Sequence, residues 1–116
     1  MKIALSIASV FAAAALQAHA QAPSGDASRG KAAFMKQGCY ACHGTAGQGG
    51  DRGSGPRIAY DVWPWDAFAR QVRSPREAMP RYPVEQVSAQ ELADMYAYLV
   101  SIKRGPKANE IPLLKE

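Results

Sequence analysis

The sequence predicts an all-α chain of three to five short helices with much loop between them, and three observations carry that prediction. Apolar residues recur at helical spacing in three separate stretches. No alternating apolar run reaches the length of a strand. Glycine and proline gather between the apolar stretches rather than inside them. With 116 residues the chain is long enough for one domain and too short for a two-domain enzyme.

The elements follow in order. Residues 1–20 read as a secretion signal: Lys2 is a short positive start, Ile3 to Leu16 is an apolar run, and Ala18-His19-Ala20 is a small-x-small cleavage pattern. A buried core helix is the alternative, and the run is shorter than the ~20 residues that cross a bilayer. The expected mature chain is residues 21–116, with a core at 26–105 and a tail at 106–116, exported to a bacterial periplasm. Removing the signal takes His19 with it and leaves His43 as the one histidine. Ser24 or Asp26 can cap a first helix running to about Gln37, with Gly38 as its stop and Ala27, Gly30 and Phe34 on one face. Residues 44–55 are glycine-rich loop. Pro64 suits the first turn of a second helix whose stripe is Trp65, Phe68, Ala69 and Val72, and Ser74-Pro75 ends it. Ser88 and Glu91 form a capping box before the strongest helix, with Leu92, Met95, Tyr96, Leu99 and Ile102 as its stripe. Lys103 and Arg104 complement its dipole, and Gly105-Pro106 is its expected stop.

Composition removes several functions. Fourteen basic residues stand against ten acidic ones, net +4, too balanced for a dense nucleic-acid-binding face. Two cysteines exclude a multi-disulfide scaffold.

The chemistry lies in Cys39-Tyr40-Ala41-Cys42-His43. Two cysteines three apart on one helical turn reach the two vinyl groups along one porphyrin edge, and the histidine that follows turns its imidazole to the iron. The pattern reads as attachment of one haem c. A structural zinc site wants four ligands, and the mature chain has three of the Cys/His type. A thioredoxin-like pair wants a βαβ setting. A plain disulfide leaves the adjacent histidine unexplained.

The sixth iron ligand is sought among Met35, Met79 and Met95. Met35 lies too near the attachment motif, and Met95 belongs to the apolar stripe of the last helix. Met79 sits in the irregular segment Ala78-Met79-Pro80-Arg81-Tyr82-Pro83, 36 residues beyond His43, ample to wrap the porphyrin edge. Thioether opposite imidazole is a pairing that raises a haem potential. His43 and Met79 are thus the expected metal ligands, and Cys39 and Cys42 the covalent anchors.

With these residues in place, the chain resembles class I c-type cytochromes over roughly residues 26–104. The features that carry the resemblance are Gly30 and Phe34, the C-x-x-C-H turn, Gly55-Pro56-Arg57-Ile58, Met79-Pro80, and Tyr98-Leu99 on the last helix. The resemblance implies the cytochrome c fold around one covalently bound haem. It implies first and last helices crossing at Gly30, with Phe34 against Met95 and Tyr98. It also implies a hydrogen bond from His43 Nδ1 to the Pro56 carbonyl. The implied function is a monohaem one-electron carrier without substrate chemistry. The short His-to-Met spacing is similar to that of small cytochrome subunits accepting electrons from periplasmic dehydrogenases. The implied partners are therefore redox proteins, a dehydrogenase as donor and an oxidase or another cytochrome as acceptor, with no nucleic acid and no membrane span in the mature chain. A haem subunit held tightly in a dehydrogenase complex, a peroxidase-like haem enzyme and a thiol–disulfide oxidoreductase are the alternatives.

Other conspicuous residues stay open at this point. Trp63 and Trp65 line the haem or pack in the core. Tyr60, Tyr82, Arg52 and Arg57 meet propionates or solvent. Ile111, Leu113 and Leu114 in the tail are expected to pack back on the domain. Arg70, Arg73, Arg76 and Arg81 stand against the single acid Glu77 between residues 70 and 81, and form a candidate basic rim for an acidic partner.

Overall fold

A computed structural model describes residues 21–114; the expected signal segment, residues 1–20, lies outside them. Four α-helices follow one another among the described residues: α1 (Ala27–Lys36), α2 (Tyr40–His43), α3 (Trp65–Arg73) and α4 (Ala89–Ser101). Short 3₁₀ turns stand at Asp51–Gly53, Ala108–Glu110 and Pro112–Leu114, and the described residues contain no strand. No helix among them is long and apolar enough to cross a membrane.

Local signals set both ends of α1. The Asp26 carboxylate, not Ser24, caps it by accepting from Arg29 N at 2.7 Å, a contact of a kind worth about 1 kcal/mol. At the other end Gly38 takes φ 75°, a conformation open to glycine at little cost. Gly38 N then donates to Met35 O and Cys39 N to Phe34 O, both at 3.2 Å. This paired closure satisfies the last carbonyls and turns the chain sharply into α2.

The core lies where α1 crosses α4. Gly30 is the crossing point: a Cβ there would overlap the Asp94 carbonyl and stand 2.9 Å from Met95 N. Phe34, 1% exposed, lies beside Tyr98 with ring centroids 5.7 Å apart at 60°. Val87, Leu92, Met95 and Leu99 complete the buried cluster. The capping box of α4 forms as expected, Glu91 N donating to Ser88 Oγ at 3.1 Å and Ser88 N to Glu91 Oε2 at 2.9 Å.

One carboxylate is buried in this crossing. Asp94, 3% exposed, accepts from Arg29 Nε at 2.8 Å and Nη2 at 3.1 Å, from Asp26 N at 2.7 Å and from Gln90 Nε2 at 2.9 Å. Those donors, the Arg29 guanidinium first, hold its carboxyl well below the usual carboxylate range. The network straps the chain before α1 onto α4.

Helix α3 leans on α4 through aromatic rings. Trp65 meets Tyr96 edge-on at 5.4 Å, and Phe68 meets Tyr96 at 5.1 Å. Trp65 is therefore packing, whereas Trp63 is 51% exposed. Pro64 occupies the cap rather than the first turn, its carbonyl accepting from Ala67 N and Phe68 N at 3.0 Å.

Two expectations need correction. Helix α4 stops at Ser101, before Gly105-Pro106: Ile102 turns extended, and Ser101 Oγ donates to Tyr98 O at 2.7 Å in the last turn. Arg104 leaves the helix axis to bond Asp61 at 2.7 Å and to lie over the Tyr60 ring at 5.4 Å. The tail leucines do not pack back: Leu113 is 94% exposed and Leu114 59%.

Candidate functional site

The turn at Gly38 delivers the two cysteines onto one helical turn. Cys39 already has helical angles (φ −57°, ψ −33°), and its carbonyl accepts from Cys42 N at 3.3 Å and His43 N at 3.0 Å. Both cysteines are free, Cys39 half-buried against the core and Cys42 exposed. His43 ends the turn and is buried.

The histidine is oriented by its neighbour across the loop. His43 Nδ1 lies 2.8 Å from Pro56 O. A carbonyl only accepts, so Nδ1 carries the hydrogen and Nε2 keeps its lone pair for a ligand. The loop that brings Pro56 there is itself anchored. Gly49 N donates to His43 O at 2.8 Å, and Ile58 N and Ala59 N both donate to Gly47 O at 2.9 Å. Gly55, just before Pro56, runs so close to Cys42 that an added Cβ would stand 2.8 Å from its carbonyl carbon. Tyr98 OH donates to Thr45 O at 2.8 Å, tying α4 to the same loop.

The three methionines occupy different settings. Met95 is core, and Met35 is exposed on α1. Met79 is half-buried against the core in an irregular segment, and its Sδ accepts from Gln71 Nε2 at 3.7 Å. Nothing in the sequence marks Gln71, one polar residue beside an apolar helical stripe; its place appears only once Met79 lies next to it.

The donor set fits a haem: two free thiols on one turn, then a histidine whose Nε2 lone pair is free. Two observations weigh against the rival chemistries. Among the described residues, no three His, Cys, Asp or Glu side chains gather as a metal site of the zinc type. Burial pushes the Cys39 thiol up, the opposite of what a nucleophilic redox thiol requires.

The remaining open residues find ordinary partners. Tyr60 lies against the Arg57 and Arg104 guanidinium groups, and Arg57 pairs with Asp61 at 3.4 Å. Tyr82 OH donates to Gln37 O at 3.4 Å, and Arg52 pairs with Asp51 at 3.7 Å. The four arginines of the candidate rim differ in their contacts. Arg73 Nη1 donates to Tyr82 O at 3.0 Å and Val87 O at 2.7 Å, so it braces the segment before α4. Arg70 and Arg76 are exposed.

A C-x-x-C-H turn with its histidine tethered to a proline carbonyl, set beside crossed first and last helices, defines a c-type cytochrome domain. The family model described as cytochrome c oxidase, cbb3-type, subunit III matches residues 25–99, and the chain belongs to this family. It is a c-type cytochrome, an electron carrier, and its family implies covalently bound haem c. Among solved structures, a chain of the sulfane dehydrogenase SoxCD from Paracoccus pantotrophus is similar at 20% identity and a TM-score of 0.49. That match covers 85% of this chain and 58% of the other, so the chain spans under two thirds of its length. No curated protein matches the chain.

Proposed function

We propose that this cytochrome is an exported, periplasmic monohaem carrier, with Cys39 and Cys42 as thioether anchors and His43 Nε2 and Met79 Sδ as axial ligands. The observation that carries the reading is the Nδ1 contact of His43 with Pro56 at 2.8 Å. It sets the tautomer, aims Nε2 away from the proline loop and raises the basicity of the imidazole. Bound there, haem supplies a one-electron ferric–ferrous couple. The surrounding chain keeps both ligands in place through the cycle: α2 and the proline loop hold His43, and the segment after α3 holds Met79.

The donor is a periplasmic dehydrogenase and the acceptor an oxidase or another cytochrome. The family description, that of an oxidase subunit, supports the second half. The short His43-to-Met79 spacing and the Met79-Pro80-x-Tyr82 segment support the first. A haem subunit held within a dehydrogenase complex is the second reading, and the exposed Leu113 and Leu114 of the tail favour it.

The test is purification from the native host, a visible spectrum, acid–acetone extraction and identification of co-purifying proteins. One haem that stays on the chain, with a low-spin ferric spectrum and a methionine–iron charge-transfer band, is expected. Haem that extracts, or a high-spin ferric spectrum, refutes the reading. Stoichiometric co-purification with a dehydrogenase selects the second.

A further inference from the structure

The side-chain hydrogen bonds to the segment that bears Met79 converge on one residue. Among the hydrogen bonds of the described residues, two reach residues 75–80, and both involve Gln71 on the last turn of α3. Gln71 Oε1 accepts from Arg76 N at 3.4 Å, and Gln71 Nε2 donates to Met79 Sδ at 3.7 Å, a length that suits a sulfur acceptor. Between those two points stands Glu77 at φ 61°, the left-handed region that a non-glycine residue holds only when its surroundings impose it. Gln71 also lines an open cleft of about 500 Å³ with Trp63, Ala67, Arg70 and Arg76.

We propose that Gln71 is a positioning residue for electron transfer: its amide clamps the strained Arg76–Met79 turn and holds the Met79 sulfur by a hydrogen bond. The inference rests on the reading of Met79 as axial ligand. A thioether sulfur has two lone pairs, and with one given to iron the other is free for the amide. An N–H at that second pair draws electron density from the sulfur and sets the positive end of a dipole beside the iron. Both effects favour the ferrous form, so the bond raises the potential. The Arg76 half of the clamp acts on position, keeping the sulfur within reach of the iron and slowing its replacement by a ligand from solvent.

The test uses the holoprotein and four variants: Gln71→Leu, Gln71→Glu, Met79→Ala and the Gln71→Leu/Met79→Ala double variant. The readouts are the reduction potential and the rate at which imidazole abolishes the charge-transfer band of the ferric protein. Gln71→Leu is expected to keep the band and to shift the ferrous–ferric equilibrium about three- to tenfold toward ferric, or roughly 28–59 mV at 59 mV per decade. Imidazole should enter about tenfold faster. Gln71→Glu keeps an acceptor for Arg76 and loses the donor, so its potential falls while imidazole enters at close to the wild-type rate. In the Met79→Ala background, Gln71→Leu should shift the potential by clearly less than in the wild type, since the hydrogen bond has lost its partner. An equal shift in both backgrounds, or unchanged potential and imidazole rate in the single variant, overturns the clamp alone. Retention of the band in Met79→Ala overturns the ligand reading and the clamp with it.

Discussion

Replacing Gly30 by alanine tests the helix crossing on which the fold rests. The added Cβ would stand 2.9 Å from Met95 N and overlap the Asp94 carbonyl. Both are backbone atoms, so no rotamer change relieves the contact. Helices α1 and α4 must part by roughly an ångström, a gap that forfeits a quarter to a half of the dispersion attraction across it. Phe34, Met95, Tyr98 and Leu99 are the large residues that meet there, all at most 8% exposed. Burial is worth about 1.5–3 kcal/mol for each such residue. Losing part of that, less about 1 kcal/mol regained from alanine's helix propensity, leaves a cost of about 3 kcal/mol. For a domain of this size the melting temperature should fall by roughly 12–24 °C. The assay is urea and thermal unfolding of the holoprotein, followed by far-ultraviolet dichroism and by the haem absorption. Gly105→Ala is the control, with nothing within 4 Å of its added Cβ, and should stay within about 0.5 kcal/mol of wild type. Gly38→Ala also meets nothing within 4 Å but sits at φ 75°, so it should cost about 1–2 kcal/mol through the backbone alone. A Gly30→Ala protein within about 1 kcal/mol of wild type would refute the close crossing.

The other expectations are separable. Cys39→Ala or Cys42→Ala should each weaken haem attachment and the double variant abolish it, read by acid–acetone extraction. Met79→Ala should lower the potential and open the ferrous protein to carbon monoxide, while Met35→Leu and Met95→Leu keep the charge-transfer band. Asp94 has a depressed carboxyl, so the stability it contributes is present above the unfolded carboxylate range and is lost as pH falls below about 4 toward its folded value. The gap in unfolding midpoint between wild type and Asp94→Asn should therefore be full at pH 7 and narrow in strong acid; a gap independent of pH contradicts the buried-carboxylate account. Arg73→Ala should destabilise by about 2 kcal/mol with little change in association rate, since it leaves two carbonyls without their charged donor. Arg70→Glu and Arg76→Glu should do the reverse, slowing reduction by the native donor with a steep salt dependence set by a screening length near 8 Å. A flat salt series removes these two from docking.

What the sequence made legible is what neighbours along the chain decide. The cap at Asp26, the stop at Gly38, the Ser88–Glu91 box and the single turn of Cys39 to His43 all depend on residues within four positions of one another. The crossing at Gly30, with Phe34 against Tyr98, and the His43–Pro56 contact came instead from family resemblance; nothing in the spacing of His43 and Pro56 announces them. Asp94 was passed over, as an acid beside an apolar stripe looks like the solvent side of a helix until Arg29, Asp26 and Gln90 close around it. The end of α4 was misjudged for a related reason. Gly105-Pro106 is a strong stop, but Ser101 and the pull of Arg104 toward Asp61 act first. In the tail, three apolar residues in a polar setting suggested packing, yet Leu113 and Leu114 stand exposed.

The arginines near Met79 show why charge counted along a chain is a poor guide to a surface. Arg70, Arg73 and Arg76 recur every third residue, a spacing that reads as one positive stripe. Their hydrogen bonds divide them: Arg70 and Arg73 stand on α3, while Arg76 follows its end. Arg73 lies one residue past Val72, on the flank that faces the returning chain, and it meets the carbonyls of Tyr82 and Val87 there. Arg70 and Arg76 border the open cleft beyond α3. Arg81 reaches back to the Arg73 carbonyl at 3.1 Å, closing the end of α3 from outside. Two of the four thus donate to backbone carbonyls beside Met79, and Arg70 and Arg76 stand exposed at the cleft. The same residue type braces the Met79 segment on one side and faces solvent on the other, so the proposed docking is best tested at Arg70 or Arg76, which donate no side-chain bond to that segment among the described residues.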